Sequence, residues 1–104
     1  MQSKIEKCLK SGLVGERHKG LRKIEPSEER IIGHISKAMH NYKAMIFFQR
    51  NGFSDWSASA AFYCLYHSLL ALIAKEGYES RNQSCTFALV EQMIENGKVS
   101  LTKD

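Results

Sequence analysis

The chain has 104 residues and a mass of 11.8 kDa, enough for one small domain. Hydrophobic residues make up 43% and charged residues 25%, a balance that excludes a disordered chain. The formal net charge is +4, and all of it lies in residues 1–26, where Lys4, Lys7, Lys10, Arg17, Lys19, Arg22 and Lys23 outnumber Glu6, Glu16 and Glu25; beyond residue 26 the signs balance.

Residues 1–25 read as a basic lead-in. A short helix is predicted from Ile5, Cys8 and Leu9 at helical spacing, and Gly12, Gly15 and Gly20 then mark irregular or turning chain. Lysines in such an arm suit phosphate or an acidic partner, or serve solubility alone. A bundle domain is expected over 26–104. Its first long helix starts near Pro26–Ser27, with Glu28 and Glu29 at the positive end of the helix dipole. Ile31, Ile32, Ile35, Ala38, Met39, Tyr42, Met45 and Ile46 recur at helical spacing up to the Asn51-Gly52 stop. Gly33 inside this helix suggests close approach by a neighbour.

A second long helix is expected from Trp56 to about Glu76, capped by Ser54 or Asp55 and stopped by Gly77. It is apolar nearly all round, as in a helix buried on more than one side. Ala58, Ala60 and Ala61 leave room for another helix. A last helix is predicted from near Ser84 to Asn96-Gly97, with Phe87, Val90, Met93 and Ile94 on one side. No strand alternation is visible. The fold class is all-α: a small antiparallel helical bundle of about four helices, two of them long.

No stretch reaches the ~20 apolar residues of a membrane span, so no membrane partner is expected, and no secretory signal is read at Met1. Cys8, Cys64 and Cys85 are an odd set without a CxxC pair, which predicts reduced thiols and a cytoplasmic protein rather than a disulfide framework or a zinc site. Cys64 and Cys85 read as small buried apolar groups. No cofactor or metal motif is present.

Three segments resemble the HEPN family, a helical domain often found beside minimal nucleotidyltransferases. They are the long helix EERIIGHISKAMHNYKAM, the run from Trp56 through Ala61-Phe62-Tyr63-Cys64-Leu65-Tyr66-His67 to Ala71-Leu72, and the polar loop from Gly77 to Thr86. The resemblance spans about two thirds of the chain, from Ile24 to Leu89. It implies a dimerising antiparallel bundle, and in many members a ribonuclease with an Arg and a His separated by four to six intervening residues on a late helix. The chain departs from that motif. Arg30 and His34 have three residues between them and lie on the first long helix, and Arg81 has no histidine after it. A family member would continue into further helix after Gly97, so the resemblance implies a shortened or C-terminally incomplete member.

Individual residues carry the remaining expectations. Arg30 and His34 share a helix face and could hold a phosphate and move a proton; with His67 they are the catalytic candidates. His67 also suits a core position, hydrogen-bonded to Tyr63. Tyr63 and Tyr66 are packing residues that could stack on a base. Arg81, Asn82 and Ser84 precede a helix N-terminus and are candidate phosphate ligands, with capping by Ser84 as the simpler role. Trp56, Phe62, Leu65 and Leu69 are expected on a dimer or partner surface, because the two long helices carry more apolar area than the chain can bury alone.

The function these residues favour is a non-catalytic binding domain. Its partners would be a second copy, a nucleotidyltransferase-type protein, and nucleotide or RNA. The alternatives are a metal-independent endoribonuclease of toxin type with a displaced Arg/His motif, and an interaction scaffold with no nucleic-acid role.

Overall fold

The structure is a computed structural model that describes residues 3–97. In chain order the elements are α1 (Lys4–Ser11), β1 (Leu21–Lys23), α2 (Glu28–Arg50), α3 (Ser54–Lys75), β2 (Tyr78–Ser80) and α4 (Gln83–Glu95). Of the described residues 69% are helical, and they form four helices and one small two-stranded sheet, as the all-α reading expects. The sheet is the exception. Strands of three residues are too short to show a two-residue alternation, so the sequence pattern does not reveal them.

Contacts divide the chain into two compact units, and the division differs from the expected lead-in over 1–25 and bundle over 26–104. One unit is Pro26–Glu76, and the other joins the described residues up to Glu25 to those from Gly77 onward.

Pro26–Glu76 is a helical hairpin. Ser27 caps α2 by accepting the Arg30 amide on its hydroxyl. Asn51 and Gly52, the latter at φ +81°, end α2, and only Asn51–Phe53 separate it from α3. The Phe53 amide donates back to the Phe48 carbonyl at 2.8 Å, so α3 begins at Ser54 without a side-chain cap, earlier than the expected Trp56. The helices pair antiparallel. Phe48 packs on Trp56, the Ser57 hydroxyl donates to the Met45 carbonyl at 3.1 Å, and His34 meets His67 further along. Gly33 faces open space, so it is not a point of close approach. Gly77, at φ +89°, follows the α3 C-cap as the expected stop.

The second unit is built on short-range geometry and one covalent bond. A capping box between Ser3 and Glu6 starts α1. Gly12 and Gly20 stand where backbones nearly touch: a Cβ on Gly12 would lie 1.7 Å from the Leu21 carbonyl oxygen, and one on Gly20 would lie 2.2 Å from that of Cys8. Arg22 bonds the Gly12 carbonyl from its Nε at 2.7 Å and also bonds the Gly15 carbonyl, so this member of the basic arm pins its own loop. β1 pairs antiparallel with β2, Leu21 opposite Ser80 and Lys23 opposite Tyr78. Beside them His18 is 3% exposed; its Nδ1 accepts the Gly20 amide, which leaves Nε2–H to donate to Glu79 at 2.8 Å.

Cys8 and Cys85 form a buried disulfide that ties α1 to α4. This corrects the reduced-thiol reading: two of the three cysteines are consumed, and Cys64 alone is free. Spacing along the sequence could not show it, because 77 positions separate the two cysteines. The inference of a cytoplasmic location from reduced thiols lapses with it. A second correction concerns α4. It begins at Gln83 and its cap is Asn82, which accepts the Cys85 amide, not Ser84. Cys85, Thr86, Leu89, Val90 and Met93 form its buried side, while Phe87 is 40% exposed.

The expectation that no segment is long and apolar enough for a membrane is also corrected. By length and composition Ser54–Lys75 qualifies, because serines and alanines dilute the apolar run without adding charge. The buried residues Ala60, Tyr66, Leu69, Leu70, Ala71, Ile73 and Ala74 along α3 are equally the pattern of a helix packed inside protein.

Two measurements follow from the disulfide. Alkylation of the unfolded, non-reduced chain should modify one cysteine, and modification of three would remove the bond from the structure. Cys8→Ser with Cys85→Ser should cost about 2–4 kcal/mol in urea unfolding, the usual loss for a native cross-link.

Candidate functional site: an imidazole pair beside an apolar groove

Two features occupy opposite sides of the α2–α3 seam. Positions 30, 34, 37 and 41 form one stripe of α2, while 31, 35, 39 and 42 form the next stripe round the helix. The first stripe is polar and cationic and the second is apolar, so one hairpin carries both a charged edge and a greasy groove.

On the charged edge, His34 of α2 and His67 of α3 approach with Nδ1 atoms 3.5 Å apart. Their rings stack with centroids 5.7 Å apart and planes 26° from parallel. At that distance one ring donates and the other accepts, so at least one Nδ1 carries no proton. Tyr66 meets His67 edge-on, with centroids 6.2 Å apart. Both rings are half-buried. Burial lowers the His34 pKa first, and the charges of His67, Lys37 and Arg30 lower it further. Burial and then the Lys37 ammonium lower the His67 pKa. Burial and the neighbouring cations thus both favour the neutral form of each ring.

The three catalytic candidates of the sequence, Arg30, His34 and His67, are therefore brought to one place, although 33 positions separate the two histidines. Sequence reasoning missed Lys37, whose charge acts on both rings. The signal for it was its place one turn after His34. The expected Tyr63–His67 core pair is replaced by the His34 contact.

The other candidates lie elsewhere. Tyr66 is buried and stacks on Phe62 with centroids 6.0 Å apart, so its ring has no free face for a base on that side. Tyr63 is 46% exposed. Asn82 spends its side-chain oxygen on the Cys85 amide, and its carbonyl accepts the Ser80 hydroxyl, which in turn accepts from the buried Thr86 hydroxyl at 2.6 Å. The Arg81 amide donates to the Gly20 carbonyl, while its side chain and Ser84 are exposed. That loop is explained by capping and by the sheet.

The groove encloses about 500 Å³. Ile31, Ile35, Met39 and Tyr42 form its α2 wall; Cys64, Ser68 and Leu72 form its α3 wall, and Lys75 stands at one end. Ile32, Ile35, Met39, Tyr42 and Phe47 on α2 are between 47% and 60% exposed. Leu65, at 55%, extends the apolar surface on α3. Of the other residues expected on a partner surface, Trp56 is 60% and Phe62 37% exposed, but Leu69 is 8% exposed and so is covered by the chain itself. Among the described residues no three His, Cys, Asp or Glu side chains gather to hold a metal ion.

Comparison with family models, with curated proteins and with solved structures returns no match. The site is read from its geometry alone.

The lowered histidine pKa values set a pH dependence. Each ring takes a proton more readily in the unfolded chain, near pH 6.5, than in the folded one. Above that pH the pair leaves stability unchanged; as pH falls through it, the unfolded chain binds more protons and stability drops. Urea unfolding at pH 7.5 and 5.5 should show this drop, and His34→Gln should reduce it. An equal drop in both proteins would assign it to other groups.

Proposed function

We propose that the protein is a non-catalytic binding domain that self-associates through the α2–α3 groove. The observation that supports this most is the exposed apolar row Ile35, Met39, Tyr42 and Leu65 beside the groove. At about 25 cal/mol per Å² of apolar surface, leaving four such side chains wet forgoes several kcal/mol. A second copy suits the surface. Small groups at Ala61, Cys64 and Ser68 on α3 admit the bulk of an opposing α2, and two hairpins related by a two-fold axis make a four-helix arrangement. The HEPN resemblance adds a nucleotidyltransferase-type protein, and nucleotide or RNA, as further partners of such a dimer.

A rival reading, a metal-independent endoribonuclease, has the approach of His34 and His67 in its favour. Two imidazoles in different protonation states could divide acid and base roles. The binding reading is preferred because burial and Lys37 lower both ring pKa values in the same direction, and because the Arg/His motif implied by the resemblance is absent.

Sedimentation should find a dimer at micromolar concentration. Leu65→Asp or Met39→Asp should shift it to monomer while helical circular dichroism is retained. A parent protein that stays monomeric would overturn the reading. Labelled RNA incubated without divalent metal should remain intact. Cleavage that disappears in His34→Ala or His67→Ala would put the ribonuclease in its place.

A further inference from the structure

Along α2 and α3, the charged side chains one turn from the imidazole pair are all cationic. One turn either side of His34 on α2 stand Arg30, Ile31, Lys37 and Ala38; one turn either side of His67 on α3 stand Tyr63, Cys64, Leu70 and Ala71. Neither set contains a carboxylate. His34 feels the charges of His67, Lys37 and Arg30, and His67 that of Lys37; each opposes a proton. A metal cation would meet the same repulsion and find two nitrogen ligands. An anion would relieve it.

We infer that His34, His67 and Lys37, flanked by Arg30, form a binding site for a phosphate group. A tetrahedral oxyanion presents several acceptor oxygens, and the site supplies donors from both helices: the ring N–H groups and the Lys37 ammonium. Both rings are half-buried, which strengthens each bond, while Lys37 is exposed and free to swing onto the ligand. A bound dianion also reverses the sign of the local field, so the rings take up protons on binding, and the Nδ1 atoms that now share one hydrogen can both donate to the ligand. The phosphate could belong to a small phosphate compound or to a nucleic-acid strand; the chemistry recognised is the same. The site uses none of the groove residues and does not depend on self-association.

The test is an NMR titration of the histidine ring resonances in the full chain, with inorganic phosphate, a nucleoside monophosphate and a single-stranded oligoribonucleotide as separate ligands. Sulfate, which does not titrate near neutrality, is added at mildly alkaline and mildly acidic pH to isolate proton uptake by the protein. Saturable shifts should appear at His34 and His67 and not at His40. Sulfate should bind more tightly at the acidic pH, and Lys37→Gln should weaken binding about tenfold, equivalent to ~1.4 kcal/mol. Lys37 is exposed, so this variant keeps its fold. An oligoribonucleotide no tighter than the monophosphate assigns the site to small phosphates; a tighter one, weakened by salt, assigns it to a strand. Shifts absent at both rings, or unchanged in Lys37→Gln, would overturn the inference. Because His34, His67 and Lys37 lie off the groove, sedimentation of Lys37→Gln separates this failure from that of the dimer.

Discussion

Antiparallel pairing of α2 with α3 across a three-residue turn is the constraint on which the functional surface depends. The turn is short enough that the two helices have little freedom to slide. The Phe53 amide bonded to Phe48, the Phe48–Trp56 contact and the Ser57–Met45 hydrogen bond set the level at which the helices meet. About three turns further along, the same register brings His34 opposite His67. A shift of one residue in either helix would rotate an imidazole about 100° away from its partner and carry a groove residue into the seam.

That register also separates two kinds of surface with different physics. The cationic stripe costs electrostatic energy that an anion would offset, and it is sensitive to pH and salt. The apolar groove leaves water against hydrocarbon, and its association would be nearly insensitive to salt. Both lie on one rigid pair of helices, so a ligand at one edge and a protein at the other could be held at the same time without rearrangement. The unit formed by the two ends of the chain is organised differently. Its strands are three residues long, and it relies on backbone contact at Gly12 and Gly20, on the His18–Glu79 bond and on the Cys8–Cys85 cross-link. Short elements bury little area, so a covalent tie has more to contribute there than in the hairpin.

Much of the helical layout was legible. The end of α2 at Asn51-Gly52 and of α3 at Gly77 followed from residues that tolerate positive φ, and Ser27 marked the start of α2. Starts without a side-chain cap were less visible: α3 begins at Ser54 on a backbone bond from Phe53, which no residue type announces. The candidate site was half legible. Arg30, His34 and His67 stood out by chemistry, but nothing local joined the third to the other two, and Lys37 was not singled out. Arg81 and Asn82 attracted notice by composition, and the structure spends the Asn82 side chain on a cap.

By itself the sequence determined the helical class, the two long helices, their stops and the excess of apolar side chains, because these follow from helical periodicity and from backbone preferences that act within a few residues. Tertiary structure alone decided the pairing of β1 with β2, the Cys8–Cys85 bond, the burial of Leu69 against the exposure of Leu65, and the meeting of His34 with His67. Each of these depends on which distant segments are neighbours. That choice is made by the sum of many packing contacts, and no single residue type encodes it.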